Sequence, residues 1–135
     1  MSIHTPTSFL IAGLLLLLMP VITWLTLSKK TSLKTACWCG SGLMLGLGLL
    51  LVGMRGSIPA WMTYPFANFL FVLGILLRIQ SLRLVLSKPW RISVIWASAT
   101  ISILIFEFIR LGLEDAHLRL QYALTLYAAL FVYAA

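Results

Sequence analysis

The chain has 135 residues, 61% of them hydrophobic and only 10% charged, with a mean hydropathy of +1.06. A soluble domain uses roughly a quarter of its residues as charge to cover its surface, so a water-dissolved globule is excluded and lipid is the expected solvent for the exterior. The net charge of +7 comes from basic residues in short clusters between apolar runs; that is the pattern of the positive-inside rule and argues against nucleic acid as a partner.

Five apolar stretches, each near the ~20 residues that cross a hydrocarbon core, predict an all-α membrane protein. It is read as one polytopic domain over 1–135, with helices at about 9–27, 35–54, 58–77, 90–113 and 117–135. The start, MSIHTPTSF, holds no Lys or Arg, and the run after it is too long for the apolar part of a signal peptide, so no cleaved leader is expected. Pro20 should kink the first helix, and Trp24 lies near its far end.

The second helix carries the clearest packing signal. Thr35, Cys39, Gly42, Gly46 and Gly53 fall within about 60° of one another at 100° per residue. Gly42 and Gly46 make a GxxxG, and in lipid such small residues join helices by letting backbones approach. The seam should pack on a neighbouring helix, with the same helix of a second chain, a homodimer, as the alternative. Cys37 and Cys39 match neither a zinc nor a thioredoxin spacing. Two residues apart on a helix they point about 160° away from each other, so they do not bridge locally.

The third helix opens with Arg-Gly and two prolines, Pro59 and Pro65. Trp61, Tyr64 and Asn68 share one face with Ile75, the first two suiting a membrane interface. An unpaired amide is costly in lipid, so Asn68 is expected to face another helix and bond to it, as glue or as the wall of a shallow pocket. Pro65 removes a backbone hydrogen bond and frees the Trp61 carbonyl. On the fourth helix Ser93, Trp96, Thr100, Glu107 and Arg110 form a polar stripe with Ile103 between, while Ser98 and Ser102 lie on the other side and can bond their own preceding carbonyls. Glu107 is the only acid inside an apolar run. A charge there is expensive, and Arg110 three residues on is close enough to pair. An interfacial ion pair and a ligand-contacting carboxylate both remain open. On the fifth helix His117, Gln121 and Thr125 are stepped by four; His117 near the surface is either a solvated interfacial histidine or a group titrating near neutral pH.

Orientation follows from the cations. Lys29, Lys30 and Lys34 lie between helices one and two, and Arg78, Arg83, Lys88 and Arg91 between three and four. On the other side Arg55, Arg110 and Arg119 are countered by Glu107, Glu114 and Asp115. The first group is therefore expected in the cytoplasm, the N-terminus outside and the C-terminus inside, which leaves both cysteines near a reducing compartment. The chain stops at Ala135 while still apolar; the expectation is a piece of a longer protein rather than a helix ending at the membrane surface.

Predicted depths place Arg55, Tyr64, Asn68, Glu107, Arg110, His117 and Gln121 toward the outer half, where they would suit a small ligand site. The cytoplasmic half of every helix reads as nearly bare of polar residues. The sequence holds no HExxH, glycine-rich phosphate loop, cofactor fingerprint or paired acids at working separation, so no enzyme, cofactor or metal is expected.

Residues 46–84, GLGLLLVGMRGSIPAWMTYPFANFLFVLGILLRIQSLRL, resemble the N-terminal multi-pass membrane regions of bacterial signalling proteins that precede diguanylate cyclase (GGDEF), PAS or histidine kinase domains. In that group a glycine-rich helix ends in an Arg-Gly-x-Ile-Pro turn. The next helix carries Ala-Asn, a glycine and then basic residues, as Ala67-Asn68, Gly74 and Arg78 do here. The resemblance implies an input region of about seven helices in the bacterial inner membrane, with a cytoplasmic signalling output domain as partner and the two-component or cyclic di-GMP systems as its setting. A small transporter or channel subunit, and a structural subunit, are the alternatives.

Overall fold

The computed structural model describes residues 5–27, 32–113 and 116–134. Lys29, Lys30, Glu114, Asp115 and Ala135 lie outside them, as does the side chain of Arg119. The elements are α1 (Thr5–Leu27), α2 (Leu33–Gly53), α3 (Ala67–Val85), α4 (Ile92–Phe108) and α5 (Ala116–Ala134). A π turn over Met62–Phe66 leads into α3, and another over Ile109–Leu113 ends α4.

Among the described residues four helices are long and apolar enough to cross a membrane: Thr7–Leu27, Leu33–Gly53, Met62–Val85 and Ile92–Gly112. At 1.5 Å per residue such helices are about 30 Å long, the thickness of a hydrocarbon core. Their outward faces are aliphatic, with Leu25 70% and Leu104 64% exposed. That surface fits acyl chains and would be costly in water.

The helices run antiparallel, so the chain has two ends. The cationic end holds the α1–α2 and α3–α4 connections; the opposite end holds the α2–α3 and α4–α5 connections. At the opposite end the chain reverses in a turn closed by Ser57 N–H donating to the Met54 carbonyl at 3.0 Å. Gly56 sits third in that turn with φ +95°, the left-handed geometry that glycine adopts without cost.

Helix α2 is held between α1 and α3 by small residues on two faces. An added Cβ at Gly46 would stand 2.7 Å from Leu17 and 3.1 Å from the Gly13 carbonyl. Gly42 lies against Pro20 and Gly53 against Leu10 in the same way, and Cys39 is buried beside this seam. On the other face Gly48 rests on the Ala67 carbonyl, while Gly74 of α3 rests on Leu45 and the Ser41 carbonyl. This second seam was not part of the sequence expectation. Further along the bundle, Val72, Leu73 and Leu76 of α3 pack on Ile95 and Ala99 of α4, with Leu126, Tyr127 and Leu130 of α5 against them. The Tyr122 hydroxyl of α5 donates to the Ser102 carbonyl of α4 at 3.2 Å.

One helix end corrects the sequence reading. The third helix does not stop at Leu77 but continues to Val85, so Arg78 and Arg83 belong to a helix rather than to the α3–α4 connection. Counting apolar residues stops at the first arginine, yet an arginine does not interrupt backbone hydrogen bonding. What ends α3 is chemical: Lys88 N–H bonds the Arg83 carbonyl at 2.9 Å and Ser87 N–H the Leu84 carbonyl at 3.4 Å. With Ser87 at φ 58° this is a Schellman motif, and Pro89 comes directly after it.

Candidate functional site

At the opposite end, four of the seven residues expected to form a site come together. Arg110 donates to both carboxylate oxygens of Glu107, from Nε at 3.1 and 2.9 Å and from Nη2 at 2.6 Å. Side-chain exposures of 23% and 20% place this pair in a partly dry setting, where a two-pronged guanidinium–carboxylate contact is worth more than on an open surface. The Arg110 guanidinium also lies over the Tyr64 ring, 5.6 Å from its centroid, and the Arg55 guanidinium lies over the same ring at 4.1 Å. Each such contact contributes on the order of 1 kcal/mol. Two cations therefore share one aromatic ring, and one of them, Arg110, also holds the Glu107 carboxylate.

The backbone explains why these groups meet. Tyr64 sits inside the first π turn and Arg110 inside the second. A π turn inserts one residue and rotates the rest of the helix about its axis, and such turns recur at functional sites. Pro65 is its cause in the first case: lacking an N–H, it breaks the ladder, and Ala67 N–H reaches five residues back to the Met62 carbonyl.

Asn68 departs from expectation. Its Nδ2 donates to the Tyr64 carbonyl on its own helix at 2.6 Å, not to another helix. The amide bonds a carbonyl one turn back on its own helix, an acceptor that the Ala67 N–H also reaches. Asn68 also lines a narrow crevice with Ser102, Phe106, Tyr122 and Tyr127, one turn from the cation–aromatic group. His117 and Gln121 are exposed on α5, and the contacts that build the group come from the α2–α3 turn, α3 and α4 instead. Thr125 donates to the Gln121 carbonyl, and Thr100 and Ser102 of α4 likewise bond carbonyls one turn back.

The helix halves toward the cationic end were expected to be nearly bare of polar residues, and α2 and α3 are not. Arg78 Nε donates to Ser41 Oγ at 2.8 Å across the α2–α3 interface, and its guanidinium lies 4.8 Å from the Trp38 ring centroid. Ser41 in turn donates to the Trp38 carbonyl at 2.7 Å. Ser81 Oγ donates to the Lys34 carbonyl at 2.9 Å, a second tie between the same helices. Gln80 clamps the α3–α4 connection: its Nε2 donates to the Trp90 carbonyl at 3.1 Å, and its Oε1 accepts from Trp90 N–H at 2.9 Å. Arg83 lies over the Trp90 ring at 4.6 Å and donates to the Lys88 carbonyl. These pairs join residues up to 47 apart in the chain, so no periodicity could reveal them. The one available signal was a run of serine and glutamine beside arginine within an apolar segment.

The two polar ends do not connect. Asn68 and Arg78 are separated by about 15 Å of helix, and Leu70, Val72, Leu73, Leu76 and Ile75 between them are buried. Among the described residues no three His, Cys, Asp or Glu side chains group to hold a metal ion. No protein-family model matches the chain, and neither the curated proteins nor the solved structures include a significant match.

Proposed function

We propose that the chain is a sensory input module of the bacterial inner membrane, relaying a small-ligand or membrane-state signal to an output domain on the cytoplasmic side. The observation that carries this reading is the Arg55–Tyr64–Arg110–Glu107 group, built on two π turns at one end of the bundle. A solute or a change of bilayer that alters this group acts on α3 and α4 together. A signal requires two packings of which one is favoured by the stimulus, and a π turn is where a helix changes register at small cost. The buried apolar segment between the ends argues against the transporter or channel alternative, since conduction needs a continuous polar path.

In this reading the cationic end faces the cytoplasm, α5 makes a fifth crossing, and the output domain lies beyond it. Single cysteines replacing Ser57 and Ser87, with Cys37 and Cys39 removed, test the topology. Ser57→Cys should react with an impermeant maleimide from the outside and Ser87→Cys only after the membrane is opened; the reverse pattern overturns the orientation.

The relay has its own test. Spin labels at Ser87 and Ala129, both exposed toward the cationic end, report whether α5 moves relative to the α3–α4 connection. In liposomes Glu107→Gln should shift their distance distribution by about one side-chain row or change its width. Identical distributions in the two proteins would defeat a relay from that group.

A further inference from the structure

The group at the cationic end has a property that the sensory reading does not use. Among the described residues no acid pairs with Lys34 or Arg78. The chain's three acidic residues, Glu107, Glu114 and Asp115, fall within nine consecutive positions of the sequence, and Glu107 lies at the opposite end, paired with Arg110. Arg78 is only partly exposed, and among the described residues its partners are the Ser41 hydroxyl and the Trp38 ring. Beside it is an open cleft of about 310 Å³ where α1, α2 and α3 meet, lined by Thr23, Leu27, Lys34, Thr35, Trp38 and Ser81.

The hydroxyl protons of this lining are largely committed. Thr23 donates to the Met19 carbonyl, Ser81 to the Lys34 carbonyl, and Thr35 shares a hydrogen bond with Ser32. The donors left over in the lining are the Lys34 ammonium and the Trp38 indole N–H; the Nη groups of Arg78, which is not itself part of the lining, stand over the Trp38 ring at its edge. A cleft with surplus donors and no carboxylate selects an anion. Its wall is Trp38 and Leu27, and the aliphatic outer face of α1 lies next to it, with Leu25 70% and Ile22 55% exposed. An occupant with a charged head and apolar tails satisfies both halves of this surface.

We propose that this cleft binds the phosphate headgroup of an anionic phospholipid from the leaflet at the cationic end, held by Lys34, Trp38 and Arg78. Basic pockets between membrane helices take such headgroups by charge and hydrogen bonding together. The site would fix the depth and tilt of α1 against the α2–α3 pair, and it is independent of the sensory reading, because it needs no contact with the opposite end.

The test measures binding of an acyl-labelled phosphatidylglycerol to the purified full chain in neutral detergent by fluorescence anisotropy. Phosphatidylglycerol should bind more tightly than the equally labelled phosphatidylcholine. Lys34→Gln and Arg78→Gln should each weaken binding about fivefold. Arg91→Gln removes an exposed charge at the same end but outside the cleft, and should change binding less than twofold. Lys34 is exposed and outside the packed interior, so its variant remains informative if Arg78→Gln fails to fold. Inorganic phosphate should not displace the lipid at millimolar concentration. Equal binding of the neutral lipid overturns the proposal, as does an Arg91→Gln loss equal to that of Lys34→Gln. Full displacement by inorganic phosphate overturns the lipid as occupant and leaves a free-anion site.

Discussion

The α1–α2–α3 half and the α3–α4–α5 half of this bundle are held by different means. In the first, glycines let backbones touch: Gly46 lies at the Gly13 carbonyl, Gly48 at the Ala67 carbonyl and Gly74 at the Ser41 carbonyl. In the second, large side chains keep the helices apart, with Leu73, Leu76, Ile95, Tyr127 and Leu130 filling the space. Lipid supplies little hydrophobic force between helices, so close dispersion contact does the joining. A seam of glycines has one depth at which it fits. A layer of leucine, isoleucine and tyrosine has several rotamer solutions, and the two π turns give α3 and α4 room to choose among them. On this contrast the glycine seams of α1–α2–α3 are expected to be the rigid part, and the packing of α4 and α5, with the π turn ahead of α3, the adjustable part.

The largest effect should come from spoiling the rigid seam. Gly46→Leu places a side chain where even a Cβ would stand 2.7 Å from Leu17 and 3.1 Å from a backbone oxygen. Leu17 can turn aside but the Gly13 backbone cannot, so α1 must move away. Overpacking of this kind costs about 3 kcal/mol, measurable as a fall in the unfolding midpoint in detergent. A variant with unchanged stability would mean that α1 and α2 are not in contact along this line.

The joint between the halves ranks second. Gln80 is 7% exposed and satisfies both backbone groups of Trp90. Gln80→Leu keeps the volume and removes both of these part-buried hydrogen bonds, at about 2 kcal/mol. The same variant should speed hydrogen exchange at Trp90 and its neighbours while leaving the glycine seam protected. Uniform loss of protection across both halves would show that they unfold as one unit and would remove the distinction.

What could be read in the amino-acid order divides along the same physical line. Interactions within one or two helical turns have a fixed spacing, so the Glu107–Arg110 pair and the line through Gly42, Gly46 and Gly53 were visible. Contacts between helices have no spacing, so the Arg78–Ser41 bond and the Gln80–Trp90 clamp were not. Arg78 was misplaced because a charge was taken as the end of a span. A half-buried arginine can stay inside a helix when its stem packs on apolar surface and its head finds a hydroxyl and an indole face. Asn68 was misjudged for a related reason: the cost of an unpaired amide was right, but a local carbonyl next to Pro65 was nearer than any other helix.

The smallest effect concerns a glycine that is not part of a seam. Gly112 lies in the second π turn, and an added Cβ would come no closer than 3.9 Å to its nearest neighbour, the Phe108 ring. Among the described glycines, positive φ occurs at Gly56, so Gly112 is in a conformation open to alanine. Gly112→Ala should therefore stabilise the fold slightly, by about 0.5 kcal/mol, because alanine loses less chain entropy on ordering. If the adjustable half does its work through this turn, the same substitution should also narrow the Ser87–Ala129 distance distribution, by removing conformations that only glycine permits. Stabilisation without narrowing would place the adjustment at Pro65 alone. A loss of stability comparable with that of Gly46→Leu would show that α4 and α5 are as tightly seated as α1 and α2, and the contrast between the two halves would fail.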